Sequence, residues 1–168
     1  MDVLAKAAVR RHANAAWSSL VGNSTTLRVQ KMALEYLHEV LQRQLRELLR
    51  ACGHMKRQGM TKRTHAKNIL LLRNLLFSQI PRAPHTAGVA LSLSQSSFLR
   101  MCREESLIVA HRVEEGEVAS VVLLRSLLRD VTYAILLICL TENGPVVVTE
   151  DAMLAAVRHL RLRDVYNF

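Results

Sequence analysis

A chain of 168 residues has room for one ordinary domain or two small ones. Half of its residues are apolar but only 4% are aromatic, a Leu-, Val- and Ala-rich balance that suits packed helices better than a sheet. The net charge is +9, and arginine supplies 18 of the 23 basic residues, which suits a polyanionic partner. Cys52, Cys102 and Cys139 are odd in number and lack metal-ligand spacing, so they read as reduced thiols of an intracellular protein. The first residues form no apolar h-region, so no secretory signal is expected. The most apolar stretch, 118–140, carries Arg125, Arg129 and Asp130, each costing roughly 3 kcal/mol at a bilayer centre. A buried helix is expected there, and no membrane partner.

In chain order, Asp2 can cap a first helix that runs to about residue 12, and a connecting loop is expected over 15–26, carrying Trp17 and a turn at Gly22-Asn-Ser-Thr. Leu27, Leu34, Leu37, Val40, Leu41, Leu45, Leu48 and Leu49 then recur in steps of three, four and seven, which predicts one long amphipathic helix. Gly53 and Gly59 are expected to break the next stretch, and 64–77 reads as a shorter helix. Pro81, Pro84 and Gly88 forbid a continuous helix and mark a linker over 81–97. Beyond it Ser97 can cap a helix over 98–109, Glu114-Glu-Gly116 marks a turn, and a long helix is predicted over 117–140. Asn143-Gly-Pro145 ends that helix, and Thr149 caps a last one to about residue 162.

Two units therefore emerge, 1–80 and 98–168, each with its longest helix in the middle. Duplication of one supersecondary unit explains the symmetry. Neither long helix can hide its apolar stripe alone, and a second unit in the same chain supplies the cover. Charge divides them: residues 1–80 hold 14 Lys/Arg against 4 Asp/Glu, and residues 81–168 hold 9 against 10.

Short–long–short helices of these lengths resemble the histone fold, in which two copies clasp head to tail. Lys6-Ala-Ala-Val-Arg-Arg-His-Ala13 and His54-Met-Lys-Arg-Gln-Gly-Met-Thr61 are similar to the first helix and second loop of the H-four core histone. Phe98-Leu-Arg-Met-Cys-Arg-Glu104 resembles the first helix of the H-three core histone. His111-Arg112-Val113, Cys139 and Thr149-Glu-Asp151-Ala-Met-Leu154-Ala fall where that histone carries its minor-groove arginine, its cysteine and its last helix. The order of the two units resembles the fused histone doublets of large DNA viruses.

The resemblance implies an all-α chain of two tandem histone folds paired with each other. It also implies packaging of double-stranded DNA without sequence preference, in a virion or host nucleus. Wrapping needs arginines, loop amides and helix N-termini that meet phosphates repeatedly without reading bases. The residues carried over to that task are Arg10 and Arg11, the loop set Lys56, Arg57, Thr61, Lys62 and Arg63, then Arg100 and Arg103, with Arg112 for a minor groove. Solvated helix faces would show the same arginines. Cys139, Asp151, Leu154 and Arg158 are placed at a four-helix contact with a second copy; a plain core cysteine is the other reading of Cys139. A second doublet resembling the other two core histones is a further implied partner.

Two departures stand out. Neither unit has the family's long Lys-rich tail, and the loop Asn143-Gly-Pro-Val-Val-Val-Thr149 has no cation where the family carries one. The bare loop and the near-neutral second unit suit an alternative role, a histone-fold interaction module of a transcription complex. A helical scaffold without nucleic acid is a third. No H-E-x-x-H spacing, Gly-rich phosphate loop or nucleophile beside a base occurs, so neither an enzyme nor a cofactor or metal is expected.

Overall fold

The computed structural model describes residues 4–22, 26–60, 62–84, 93–107, 113–114 and 117–162. Six helices account for most of them: α1 (Lys6–Val21), α2 (Lys31–Arg57), α3 (Ala66–Leu76), α4 (Gln95–Glu104), α5 (Ala119–Asn143) and α6 (Glu150–His159). The fold is all-α apart from a two-residue ribbon, in which β1 (Val113–Glu114) runs antiparallel to β2 (Glu117–Val118) and pairs Val113 with Val118. The turn expected at Glu114-Glu-Gly116 is thus flanked by paired strands, and the following helix opens at Ala119 rather than 117.

Each half of the chain has its longest helix in the middle, with 27 residues in α2 and 25 in α5. The halves are interleaved. Helix α1 lies mainly against α5, α3 packs on both α2 and α5, and α6 packs on α5 and α2. One core cluster results, running from Val9, Trp17, Leu41 and Leu45 through Phe98, Leu128 and Ile135 to Met153 and Val157. Neither amphipathic stripe faces water, because each long helix is covered partly by the short helices of the other half.

Several further expected boundaries move. Helix α1 continues to Val21, through the segment expected as a loop: nothing before Gly22 breaks it, and continuing buries Trp17 to 1% exposure beside Ala13 and Ala16. Gly53 does not break α2, which runs on to Arg57. A Cβ at Gly53 would stand 3.5 Å from the Glu105 carbonyl oxygen, so the glycine sits where α2 closes on the end of α4. Helix α4 is capped by Ser94 rather than Ser97, the Ser94 Oγ accepting from the Ser97 amide at 3.1 Å, and it stops at Glu104. Helix α6 is capped as expected, with Thr149 Oγ1 accepting from the Ala152 amide at 3.1 Å, but it ends at His159. The cap expected at Asp2 lies outside the described residues.

Polar contacts at several points fix the halves to each other beyond the core. Val29, just before α2, forms a parallel bridge with Val148, just before α6, with Val148 N–H donating to Arg28 O at 2.8 Å and Gln30 N–H to Val148 O at 3.0 Å. On the far side Asp130 of α5, fully buried, accepts from Arg73 Nη2 of α3 at 3.1 Å and from the Ala83 amide at 2.8 Å. Arg73 also donates to the Phe77 and Ile80 carbonyls at 2.9 and 3.1 Å. The first described part of the expected linker, 81–84, is thereby held against α5, while its last residues, 95–97, form the first turn of α4.

Candidate nucleic-acid interface

Helix α1 has no acidic residue along its 16 positions. Val9 and Ala13 turn inward, which leaves Lys6, Arg10 and Arg11 exposed and without a carboxylate on their own helix. The helix offers a short cationic ridge, with its partial positive end adding to the side-chain charge.

The second and denser group lies between α2 and α3. Gly59 adopts φ 71°, a left-handed conformation that suits glycine, and turns the chain back as Met60 N–H donates to Met55 O at 3.0 Å. The chain then enters α3, where the His65 amide donates to Asn68 Oδ1 at 2.9 Å. Met60, Lys62, Arg63, His65, Lys67 and Asn68 line an open cleft of about 440 Å³ at this corner. Among the described residues, the cleft's lining has three cations and no carboxylate. Lys62 and Arg63, carried over from the resemblance, are both there; His65 and Lys67 lie past the end of the loop set that the resemblance implied. Thr61 lies outside the described residues.

Lys56 and Arg57 close α2 at the same corner and play different parts. Arg57 is exposed. Lys56 is half-buried and its Nζ donates to the carbonyl of Ser106, a residue at φ 56° just past α4. Its charge is thus engaged within the chain, where it ties the end of α2 to the end of α4. Arg50 adds to the same junction, with Nε 3.8 Å from Glu105 Oε1.

On α4, Arg103 is exposed and Arg100 half-buried, with its Nε buried and without a hydrogen-bond partner among the described residues. Arg112 lies outside them. The Val29–Val148 bridge creates one more basic point that the sequence reading missed: exposed Arg28 and Lys31 stand beside the loop that has no cation of its own. That loop instead exposes Val146 and Val147, near exposed Met32.

The four residues expected at a self-contact fall at the outer end of α5 and on α6. Cys139 and Asp151 line one cleft of about 540 Å³, together with Glu142, Ala152, Ala155 and His159. Arg158 is exposed beside it, and Leu154 is half-buried and packs on the core. Burial pushes all three thiols up, Cys52 and Cys139 to about 11 and Cys102 to about 12. No group of three or more His, Cys, Asp or Glu residues suited to a metal occurs among the described residues. No helix of the described residues is long and apolar enough to cross a membrane.

The class that these features define is an all-helical chain of two interleaved halves with its cations gathered on the first. No protein-family model, curated protein or solved structure matches the sequence.

Proposed function

We propose that the chain is a histone doublet that binds and wraps double-stranded DNA by neutralising its phosphates, with little preference for sequence. The observation that carries this reading is the carboxylate-free cleft around Lys62, Arg63 and Lys67, at a corner that also exposes Arg57. Support comes from the exposed row Lys6, Arg10 and Arg11 on α1, and from Arg28 and Lys31 beside the Val29–Val148 bridge. These groups lie on separate elements, as contact with successive stretches of a phosphate backbone requires. The short–long–short order of helices, repeated and interleaved, is what two paired histone folds would give. Tandem histone folds, a viral origin, and a site of action in a virion or host nucleus all belong to this proposal. So do a second copy met through the Cys139–Asp151 cleft and a companion doublet.

A second reading, an interaction module of a transcription complex, is favoured by one feature: the bare loop before α6, where Val146 and Val147 are exposed in place of cations. Affinity for random-sequence duplex DNA across a salt series separates the two. Neutralising six or more phosphates gives a slope of about −5 or steeper in log affinity against log salt. A flat response, or binding too weak to measure, overturns the packaging proposal in favour of the module.

A further inference from the structure

Helix α3 turns Ile69, Leu72 and Arg73 into the protein and leaves Leu70, Leu71 and Leu75 on its outer side, 37, 50 and 65% exposed. Exposed leucines scattered singly need no explanation, but these three fall on the same outer side of one helix, Leu71 and Leu75 one turn apart, and form an apolar strip. Lys67, exposed, stands one turn before Leu70 and Leu71 on that face. Asn74 lies in its middle, and Arg82 Nη2 donates to Asn74 Oδ1 at 3.1 Å, holding a guanidinium against the flank of the strip.

The charge of Arg82 is not cancelled from below. Asp130 stands 3.9 Å from Arg82 Nη1, but its Oδ2 is already engaged by Arg73 at 3.1 Å. One carboxylate therefore faces two guanidiniums, and the outer one is 52% exposed. Helix α3 itself has no Asp or Glu among its 11 residues. The face carries three leucines around a central Asn74, and is positive at its N-terminal end and on one flank.

We propose that this face docks an amphipathic helix of a partner protein, whose apolar stripe covers Leu70, Leu71 and Leu75 while its carboxylates meet Lys67 and Arg82. Anchors spaced i, i+3, i+4 and i+7 on the incoming helix match a strip on an 11-residue helix roughly 16 Å long. A second copy is the wrong occupant. Face-to-face pairing would crowd four cations, Lys67 and Arg82 of each copy, along one seam to which α3 brings no carboxylate. Duplex DNA is wrong too, because three leucines offer nothing to phosphate. The proposal stands on α3 and its flanking cations, and does not depend on DNA binding.

The test uses two labelled helical peptides of about 18 residues that share one leucine stripe at this spacing, one flanked by Glu and the other by Lys. Fluorescence anisotropy against the full chain is expected to show the Glu peptide binding at least about tenfold more tightly than the Lys peptide. The neutral, helix-compatible double substitution Leu71→Gln/Leu75→Gln should weaken the Glu peptide about tenfold or more while leaving duplex DNA affinity within about twofold. Lys67→Glu should shift preference toward the Lys peptide. Equal binding of the two peptides, or undiminished binding to the double variant with its helix content intact, overturns the proposal. So does a dimer, seen by sedimentation of the chain alone, that the double variant breaks.

Discussion

Asp130 and Arg73 show how a core tolerates ions. Removing a carboxylate and a guanidinium from water costs several kcal/mol each, and their attraction offsets this only where the remaining donors and acceptors are met. Here Asp130 accepts from Ala83 as well as Arg73, and Arg73 donates to two further carbonyls. Asp130→Ala strands the Arg73 charge and the Ala83 amide, and is expected to cost about 3 kcal/mol in chemical denaturation. Asp130→Asn should cost less, since Oδ1 can still accept from Ala83. The thiols make a second case. Burial holds Cys52 near 11 and Cys102 near 12, so the folded chain favours the protonated form more than the unfolded chain does. The stabilisation this brings is complete below the ordinary thiol value and is lost as pH rises toward those raised ones. Iodoacetamide at pH 8 should therefore label the native protein far more slowly than the urea-unfolded protein. Rapid labelling of all three cysteines in the native state would contradict their burial.

At the scale of elements, Gly53 tests the difference between propensity and packing. A glycine inside a helix costs roughly 1 kcal/mol relative to alanine, which is why a break looked reasonable from the sequence. The stripe of leucines from Leu37 to Leu49 outweighs that cost and carries α2 through to Arg57. A methyl group at Gly53 meets the movable Arg57 Nη1 at 3.2 Å and the Glu105 oxygen at 3.5 Å, so it fits. Gly53→Ala should raise stability by up to about 1 kcal/mol, read as a higher melting temperature, whereas Gly53→Leu should lower it. What was legible follows the same division. The long helices and the Thr149 cap rest on local spacing and were readable. Trp17 was misplaced because the helix that carries it, α1, packs mainly on α5, which lies far along the chain. In the candidate site, Lys62 and Arg63 form a compact motif legible in the sequence, but the pairing of Lys56 with Ser106 and of Arg28 with the loop before α6 is set by tertiary contact alone.

The whole molecule is one body because neither half completes its own core. Trp17, the single tryptophan, reports on α1 and thus on the contact with α5, while circular dichroism reports on all six helices. Thermal or urea unfolding followed by both signals should give one coincident transition. Two separated transitions would mean that the halves are stable independently, against the shared cluster that joins Trp17 to Ile135.

The interleaving also bears on how such a chain is made. When the first half has left the ribosome, the leucines of α2 have only α1 and α3 to shelter them, and α1 itself lacks the helix it packs against. The nascent protein must wait, with a broad sticky surface, until residue 143 and the helix it ends have emerged. Binding of chaperones to that waiting surface, and misassembly between neighbouring nascent chains on one messenger, follow directly from the order in which the helices appear. Carrying both halves on one chain shortens the wait, because the missing partner arrives at an effective concentration in the millimolar range.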